Sequence, residues 1–162
     1  MKLYDLRTEY RENPIGLTEK APRFSWKIES DEKDTVQTSY EIKVTDENGK
    51  LVWDSGKKVS DQSVLISYEG EALADVSETM YTVQVSVADN HGNTESVEGT
   101  FETGIFDQTE FKAQMITSDF PEDETACPVF GKTFVIDKKV KKVRLYATAY
   151  GVYEVAELLG AA

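Results

Sequence analysis

The chain has 162 residues, 40% of them hydrophobic, which is enough for one domain with a core and part of a second domain. The formal net charge of −12 argues against nucleic acid as a partner, because two polyanions repel each other. Cys127 is the only cysteine, so an intrachain disulfide is excluded and the fold depends on burial of apolar side chains.

No stretch approaches the ~18 consecutive apolar residues of a membrane span, so we expect no membrane partner. The first residues, "MKLYDLRTEYRENP", are interrupted by charges where a signal peptide has an apolar run. We therefore expect a cytoplasmic protein. An export signal missing from this start would change that expectation.

Apolar residues alternate with polar ones along most of the first hundred residues, a pattern typical of half-buried strands. In "RFSWKIES", Phe24, Trp26 and Ile28 share one side. The same alternation appears in "SYEIKVT" and is clearest in "MYTVQVSV", where Tyr81 and the valines that follow share a face. These segments predict strands that each place one face on a core.

Turn signals separate these strands. Asn48-Gly49 predicts a hairpin that returns through "LVWDSG", because both residues tolerate positive φ. "SVLISYEG", centred on Leu65 and Ile66, predicts a further strand, and a turn over residues 90–93 leads into "VEGTFETG". Six or seven short strands without an amphipathic helix predict an all-β fold, a fibronectin type III or immunoglobulin-like antiparallel β-sandwich over residues 1–104.

A finer feature favours the fibronectin type III variant. Leu73 in a loop, followed by Tyr81 at the start of a strand, matches a tyrosine corner, in which the phenol hydroxyl bonds to the loop backbone.

The character of the sequence changes after Gly104. Residues 105–128 contain turn formers, an acidic run and two prolines, and are interpreted as a connector. Alternation resumes over residues 129–162, with Phe130, Phe134 and Ile136 in phase, and predicts opening strands of an incomplete second β-sandwich. Two or three strands cannot bury their faces alone, so they either dock on the first domain or begin a second one. We expect self-association through residues 129–155, or local disorder there.

Searches for catalytic, cofactor and metal sites give no convincing candidate, so none is predicted. Asp119 and the acidic residues Glu122, Asp123 and Glu124 offer oxygen ligands, but they lack the spacing of a calcium loop and suit a solvated linker better. His91 is the only histidine and lies in a predicted turn with no cysteine nearby. It is therefore a poor general base for a serine nucleophile and an insufficient ligand set for zinc. Cys127 is interpreted as an inert thiol. The basic run from Lys138 to Arg144 suits a protected edge strand better than a nucleic-acid contact.

Sugar binding stays open on sequence grounds. Trp26 is in phase with Phe24 and Ile28, which places it in the core. Trp53 lies near the end of a predicted strand, where it either covers the edge of the core or stacks on a sugar ring.

The segments "LRTEYRENPIGLTEKAPRFSWKIES", "QTSYEIKV", "LVWDSGK" and "FETGIFDQTEFKAQMIT" together resemble the N-terminal region of bacterial alpha-L-rhamnosidases. The resemblance extends from Leu6 to about Glu154, and "VRLYATAYGVYEV" is similar to the start of the second domain of that family. The resemblance implies a large inverting glycoside hydrolase that removes terminal rhamnose. Its acids would lie in a downstream (α/α)6 barrel to which no part of this sequence corresponds.

The resemblance therefore implies a non-catalytic accessory domain whose partners are the neighbouring domains of the parent enzyme. Two alternatives are a carbohydrate-binding module that uses Trp53, and a fibronectin-like protein-interaction domain.

Overall fold

The computed structural model describes residues 1–73, 78–121, 127–140 and 142–156, and the chain divides into two units, Met1–Lys112 and Ala113–Ala162. All the strands of the described residues belong to the first unit: β1 (Lys2–Thr8), β2 (Arg23–Glu29), β3 (Gln37–Asp46), β4 (Leu51–Asp54), β5 (Lys58–Val59), β6 (Ile66–Ser67), β7 (Met80–Asp89) and β8 (Thr94–Glu102). A single 3₁₀ turn, Gln108–Glu110, follows them in the described residues. The predicted all-β fold class is confirmed.

The strands form two antiparallel sheets. The smaller sheet has the order β1-β2-β6, and the larger has the order β4-β3-β7-β8, with β5 also paired to β3. Strand β7 is flanked by β3 and β8 over nearly its whole length, with one register shift between Gln37 and Ser39 of β3. The inward faces of both sheets supply one core, whose buried apolar members are Leu3, Leu6, Phe24, Trp26, Ile42, Val44, Trp53, Ile66, Tyr68, Leu73, Tyr81, Val83, Val85, Val87 and Phe101.

Two hairpin turns share one design, an Asp that begins the turn and a Gly three residues later. In the β3–β4 turn, Asp46 Oδ1 accepts hydrogen bonds from the backbone N–H groups of Asn48 and Lys50, both at 2.9 Å. In the β7–β8 turn, Asp89 Oδ1 accepts equivalent bonds at 2.9 and 2.8 Å. The glycines take the left-handed conformation, with φ of 81° at Gly49 and 87° at Gly92. The predicted hairpins are confirmed, although Asn48 itself does not adopt positive φ.

Two strands differ from the sequence expectation. The N-terminal strand β1 was not predicted, because its alternation breaks where the pairing with β2 shifts register between Tyr4 and Arg7. The strand expected around Leu65 and Ile66 is only two residues long, since Leu65 has a φ of 54° and interrupts the extended backbone. As for the tyrosine corner, Tyr81 is buried, but loop residues 74–77 lie outside the described residues.

Part of the outer edge of β8 is covered by residues 13–17, which we call the strap. Asn13 Oδ1 accepts a hydrogen bond from Thr100 N at 2.8 Å, and Pro14 O accepts one from Glu102 N at 2.9 Å. Leu17 N then donates to Glu102 O at 2.9 Å, and Leu17 O accepts from Gly104 N at 2.7 Å. The strap therefore occupies backbone groups that an open edge would offer to another chain.

The second unit contains neither strand nor helix in its described residues, 113–121, 127–140 and 142–156. The strands predicted within 129–155 are thus not formed in this structure, since two or three strands lack the apolar partner surface that would stabilise them. Large apolar side chains stay exposed, among them Phe134, Val135, Leu145, Tyr150 and Val152. The domain boundaries inferred from the sequence, 1–104, 105–128 and 129–162, stay predictions.

Candidate functional site

Trp26 is a core residue, as the sequence predicted, with 2% of its surface exposed. Its indole Nε1–H donates a hydrogen bond of 2.9 Å to Oε1 of Gln37, and its ring meets the ring of Tyr40 edge-on at 5.4 Å. Trp26 therefore has both its apolar ring and its polar atom satisfied inside the sandwich.

Trp53 is also covered, with 8% of its surface exposed. Phe24 stacks beside its ring at 6.1 Å, and Tyr68 contacts it at 5.2 Å with the planes 67° apart. Gly70 lies so close that a Cβ there would be 2.5 Å from Cβ of Trp53. With this cover, the indole has no open face on which a pyranose ring could stack.

The indole N–H of Trp53 differs from that of Trp26. Within the described ranges it donates to no protein acceptor, yet no buried side-chain nitrogen or oxygen there lacks a hydrogen-bond partner. The N–H of Trp53 must therefore reach solvent, although the rest of the ring is buried.

Trp53 lines an open depression of about 220 Å³ between β6 of the smaller sheet and β3, β4 and β5 of the larger one. Tyr40, Lys58 and Glu69 also line it. In the part of the chain that the structure describes, the Tyr40 hydroxyl, the Lys58 amine and the Glu69 carboxylate form no hydrogen bond or ion pair. Among the residues that the structure describes, several polar groups without protein partners thus share the lining of this depression.

Burial raises the pKa of Tyr40, and the negative charge of Glu69 raises it further. Glu69 is therefore close enough to the phenol to influence it, and the Tyr40 hydroxyl stays protonated at neutral pH. Burial also raises the pKa of Tyr68 to about 12. Its hydroxyl donates a hydrogen bond to Glu71 O at 2.6 Å and so fixes residues 68–71, which pack against Trp53.

Two groups of charged side chains beside the smaller sheet are paired. Arg23 forms a two-pronged contact with Glu9, at 2.9 Å from Nε to Oε1 and 2.6 Å from Nη2 to Oε2, and these bonds lower the pKa of Glu9. Lys27 and Arg7 each lie 2.7 Å from the Asp5 carboxylate and lower its pKa to about 2. A glycosidase acid requires the opposite change, a pKa raised by burial.

The remaining candidates from the sequence do not come together with this depression. His91 lies in the β7–β8 turn, with Nδ1 3.5 Å from Oε2 of Glu32, and Cys127 is exposed. No group of three potential metal ligands assembles among the described residues; Asp119 is exposed, and Glu122, Asp123 and Glu124 lie outside those residues. Lys141, in the basic run, lies outside them as well. No helix among the described residues has the length and apolar character needed to cross a membrane.

Two antiparallel sheets that enclose a tryptophan-rich core define the first unit as an immunoglobulin-like β-sandwich. A family model described as "Rha78A-like, N-terminal immunoglobulin domain" matches residues 3–107. The chain belongs to this family.

Three similar proteins carry the name alpha-L-rhamnosidase. One from Formosa agariphila is 30% identical over 89% of this chain and 17% of its own length. The crystal structure of the Streptomyces avermitilis enzyme complexed with L-rhamnose superimposes with a TM-score of 0.63 and 33% identity, over 69% of this chain and 11% of that one. The structure from Dictyoglumus thermophilum gives 0.61 and 35%, over 70% and 13%. This chain thus spans less than a fifth of these relatives.

Sequence reasoning singled out Trp53 but not the other polar groups of the depression. Tyr40 lies on the strand predicted from "SYEIKVT", and the alternation of that segment places it with Ile42 and Val44 on the inward face. The sequence around Lys58 and Glu69 does not indicate a binding site. These residues lie near Tyr40 only because β5 and β6, which belong to different sheets, come together at the depression.

Proposed function

We propose that this chain is a non-catalytic accessory domain of an alpha-L-rhamnosidase and that it holds neighbouring domains of the enzyme in position. The observation that carries this proposal is the family match over residues 3–107, which falls inside the folded unit Met1–Lys112. The similar enzymes are far longer than this chain, so most of their length lies outside the region it corresponds to.

The chemistry of the first unit supports a role other than catalysis. Hydrolysis of a glycoside uses two carboxyl groups that face each other across a pocket, one of them with a raised pKa. Among the described residues that line the depression beside Trp53, Glu69 is the one that carries a carboxylate. We propose that the parent enzyme cleaves terminal alpha-L-rhamnose with inversion, in a downstream barrel that supplies both acids.

The first test is activity of the purified 162-residue chain on p-nitrophenyl alpha-L-rhamnopyranoside. We expect no release of nitrophenol above that of the buffer, because under this proposal both acids belong to the downstream barrel of the parent enzyme. Turnover that is abolished by substitution of one carboxylate would contradict the proposal.

The second test places this domain in a complete enzyme. Residues 3–107 replace the matching segment of the Streptomyces avermitilis alpha-L-rhamnosidase, and a deletion of that segment is prepared beside the chimera. A structural role predicts that the chimera keeps kcat and that the deletion variant loses thermal stability and soluble yield. A chimera that folds but has lost most of its kcat would show instead that this segment contributes to the reaction.

Two further features stay proposals. We propose a cytoplasmic location, which fractionation of cells that express the natural gene would test. A role in binding other proteins has no specific observation in its favour in the first unit, whereas carbohydrate binding has the depression beside Trp53.

A further inference from the structure

We propose that the depression lined by Tyr40, Trp53, Lys58 and Glu69 binds one neutral sugar ring through hydrogen bonds, with the indole N–H of Trp53 as its fixed donor. This inference concerns a binding site within the first unit, so it holds or fails independently of the proposed accessory role.

The indole N–H is the first reason. Trp53 is more than nine-tenths buried, yet its Nε1–H donates to no acceptor among the described residues and must reach solvent. A donor on a buried ring cannot turn to another partner, because Phe24, Tyr68 and Gly70 hold the ring in place. Such a donor is oriented in advance, which lowers the entropic cost of binding a ligand.

The charge of the lining is the second reason. Among the described residues of the lining, Lys58 and Glu69 carry charge, one of each sign, so these residues give the depression no net charge that would select an anion or a cation. Lys58 and Trp53 supply donors, Glu69 supplies an acceptor, and the Tyr40 hydroxyl does both. Sugar hydroxyl groups also donate and accept, and they therefore match this mixed set better than a purely anionic or purely apolar ligand.

The size of the depression is the third reason. Its volume of about 220 Å³ lies below the ~300 Å³ at which sites for drug-sized ligands begin. One ring fits such a space, whereas an oligosaccharide would extend into solvent. Since the ring of Trp53 is covered, recognition would use its N–H edge rather than stacking on its face.

The test is a two-dimensional ¹H–¹⁵N NMR titration of the 162-residue chain with L-rhamnose, and with glycerol as a matched polyol control. The chain has two tryptophans, so two indole signals are expected. The signal of Trp26, bonded to Gln37, should exchange slowly with water, and that of Trp53 should exchange quickly. We expect L-rhamnose to shift the Trp53 signal saturably in the millimolar range and to leave that of Trp26 in place.

Two variants and their controls complete the test. Lys58→Ala and Glu69→Gln should each weaken binding about tenfold, the effect of one lost charged hydrogen bond. Lys57→Ala and Glu47→Gln change exposed charges outside the lining and should leave binding unchanged. No saturable shift of the Trp53 signal, an equal response to glycerol, or unchanged binding in both lining variants would each overturn the proposal.

Discussion

Gln37 is a polar side chain in an apolar interior, with 6% of its surface exposed. Its Oε1 accepts the hydrogen bond from Trp26, and its Nε2 donates to Ser60 O at 3.0 Å and Gln62 O at 2.8 Å. One amide thus connects β3 with a tryptophan of the opposite sheet and with the loop between β5 and β6. All three hydrogen bonds require the Gln37 amide to keep one orientation, with Oε1 toward Trp26 and Nε2 toward the loop.

Gln37→Ala should lower the free energy of unfolding by at least about 2 kcal/mol, because the indole N–H and two carbonyl groups lose their partner. Gln84→Ala, on an exposed position of β7, is the matched control and should change it by less than about 0.5 kcal/mol. Urea unfolding of both variants measures the difference. Equal stability of the two would mean that water replaces the Gln37 amide without cost.

Asp5 and Glu9 make the stability of the first unit depend on pH. Lys27 and then Arg7 are the main causes of the lowered pKa of Asp5, about 2 against an ordinary 3.8. Arg23 lowers the pKa of Glu9. A carboxyl group whose pKa is lower in the folded state stabilises the fold above its unfolded pKa, and this contribution is lost as the pH falls through the folded value.

We therefore expect the urea midpoint to be constant near neutral pH and to decline as the pH falls from about 4 to about 2. Asp5→Asn should make this decline shallower, and it keeps a residue that tolerates the φ of 53° at this position. Added salt should reduce the effect, because these side chains are near the surface. An identical pH profile in Asp5→Asn would show that the Asp5 contacts contribute nothing to the pH dependence.

At the scale of the elements, the strap is held by close backbone contact. A Cβ on Gly104 would lie 2.6 Å from the carbonyl oxygen of Gly16, nearer than any real Cβ atom comes. Only glycine at this position lets the strap and the end of β8 approach each other. The requirement for glycine at position 104 therefore comes from a contact with Gly16, more than eighty residues earlier in the chain.

Gly104→Ala should destabilise the first unit by about 1–3 kcal/mol, because the strap has to move away from Gly104. Gly131→Ala is the control, since a Cβ there meets nothing within 4 Å. Thermal unfolding should show a lower Tm for the first variant alone, together with more aggregation as the β8 edge opens. A Tm equal to that of Gly131→Ala would mean that the strap adjusts without strain.

The strands that could be predicted are those whose own residues determine their pattern. In β2, in β7 and in β3 from Tyr40 to Val44, apolar side chains alternate with polar ones, so the local sequence is enough to predict the strand. In β1, Leu3 and Leu6 both face the core although they are three residues apart, because the register shift lies between them. The covered position of Trp53 likewise depends on Phe24, Tyr68 and Gly70, which no local pattern connects to it.

At the scale of the whole chain, a folded unit is joined to a segment with many uncovered apolar side chains. Val152 is fully exposed, and Tyr150, Val135 and Leu145 are at least two-thirds exposed. Exposed apolar side chains in this number favour association with another chain. The alternation of these residues predicted strands. Whether such strands form depends on partner strands, which the local sequence does not specify.

We expect the 162-residue chain to self-associate, with a mass from light scattering that rises with concentration, and residues 1–112 alone to remain monomeric. Phe134→Ser and Leu145→Ser together should reduce association, because they remove exposed apolar surface. Val36→Ser changes an exposed apolar residue of the first unit and is the control. A monomeric full chain at all concentrations would contradict this prediction.

The strap also affects how the chain folds during synthesis. Asn13 and its partner Thr100 are 87 residues apart, so the N-terminal segment leaves the ribosome long before the strand edge that it covers. Until Gly104 has emerged, a nascent chain can form the β3–β4 and β7–β8 hairpins, whose partners are local, but cannot complete this closure. Translation of the following connector would thus give the sandwich time to close before the apolar residues beyond it appear.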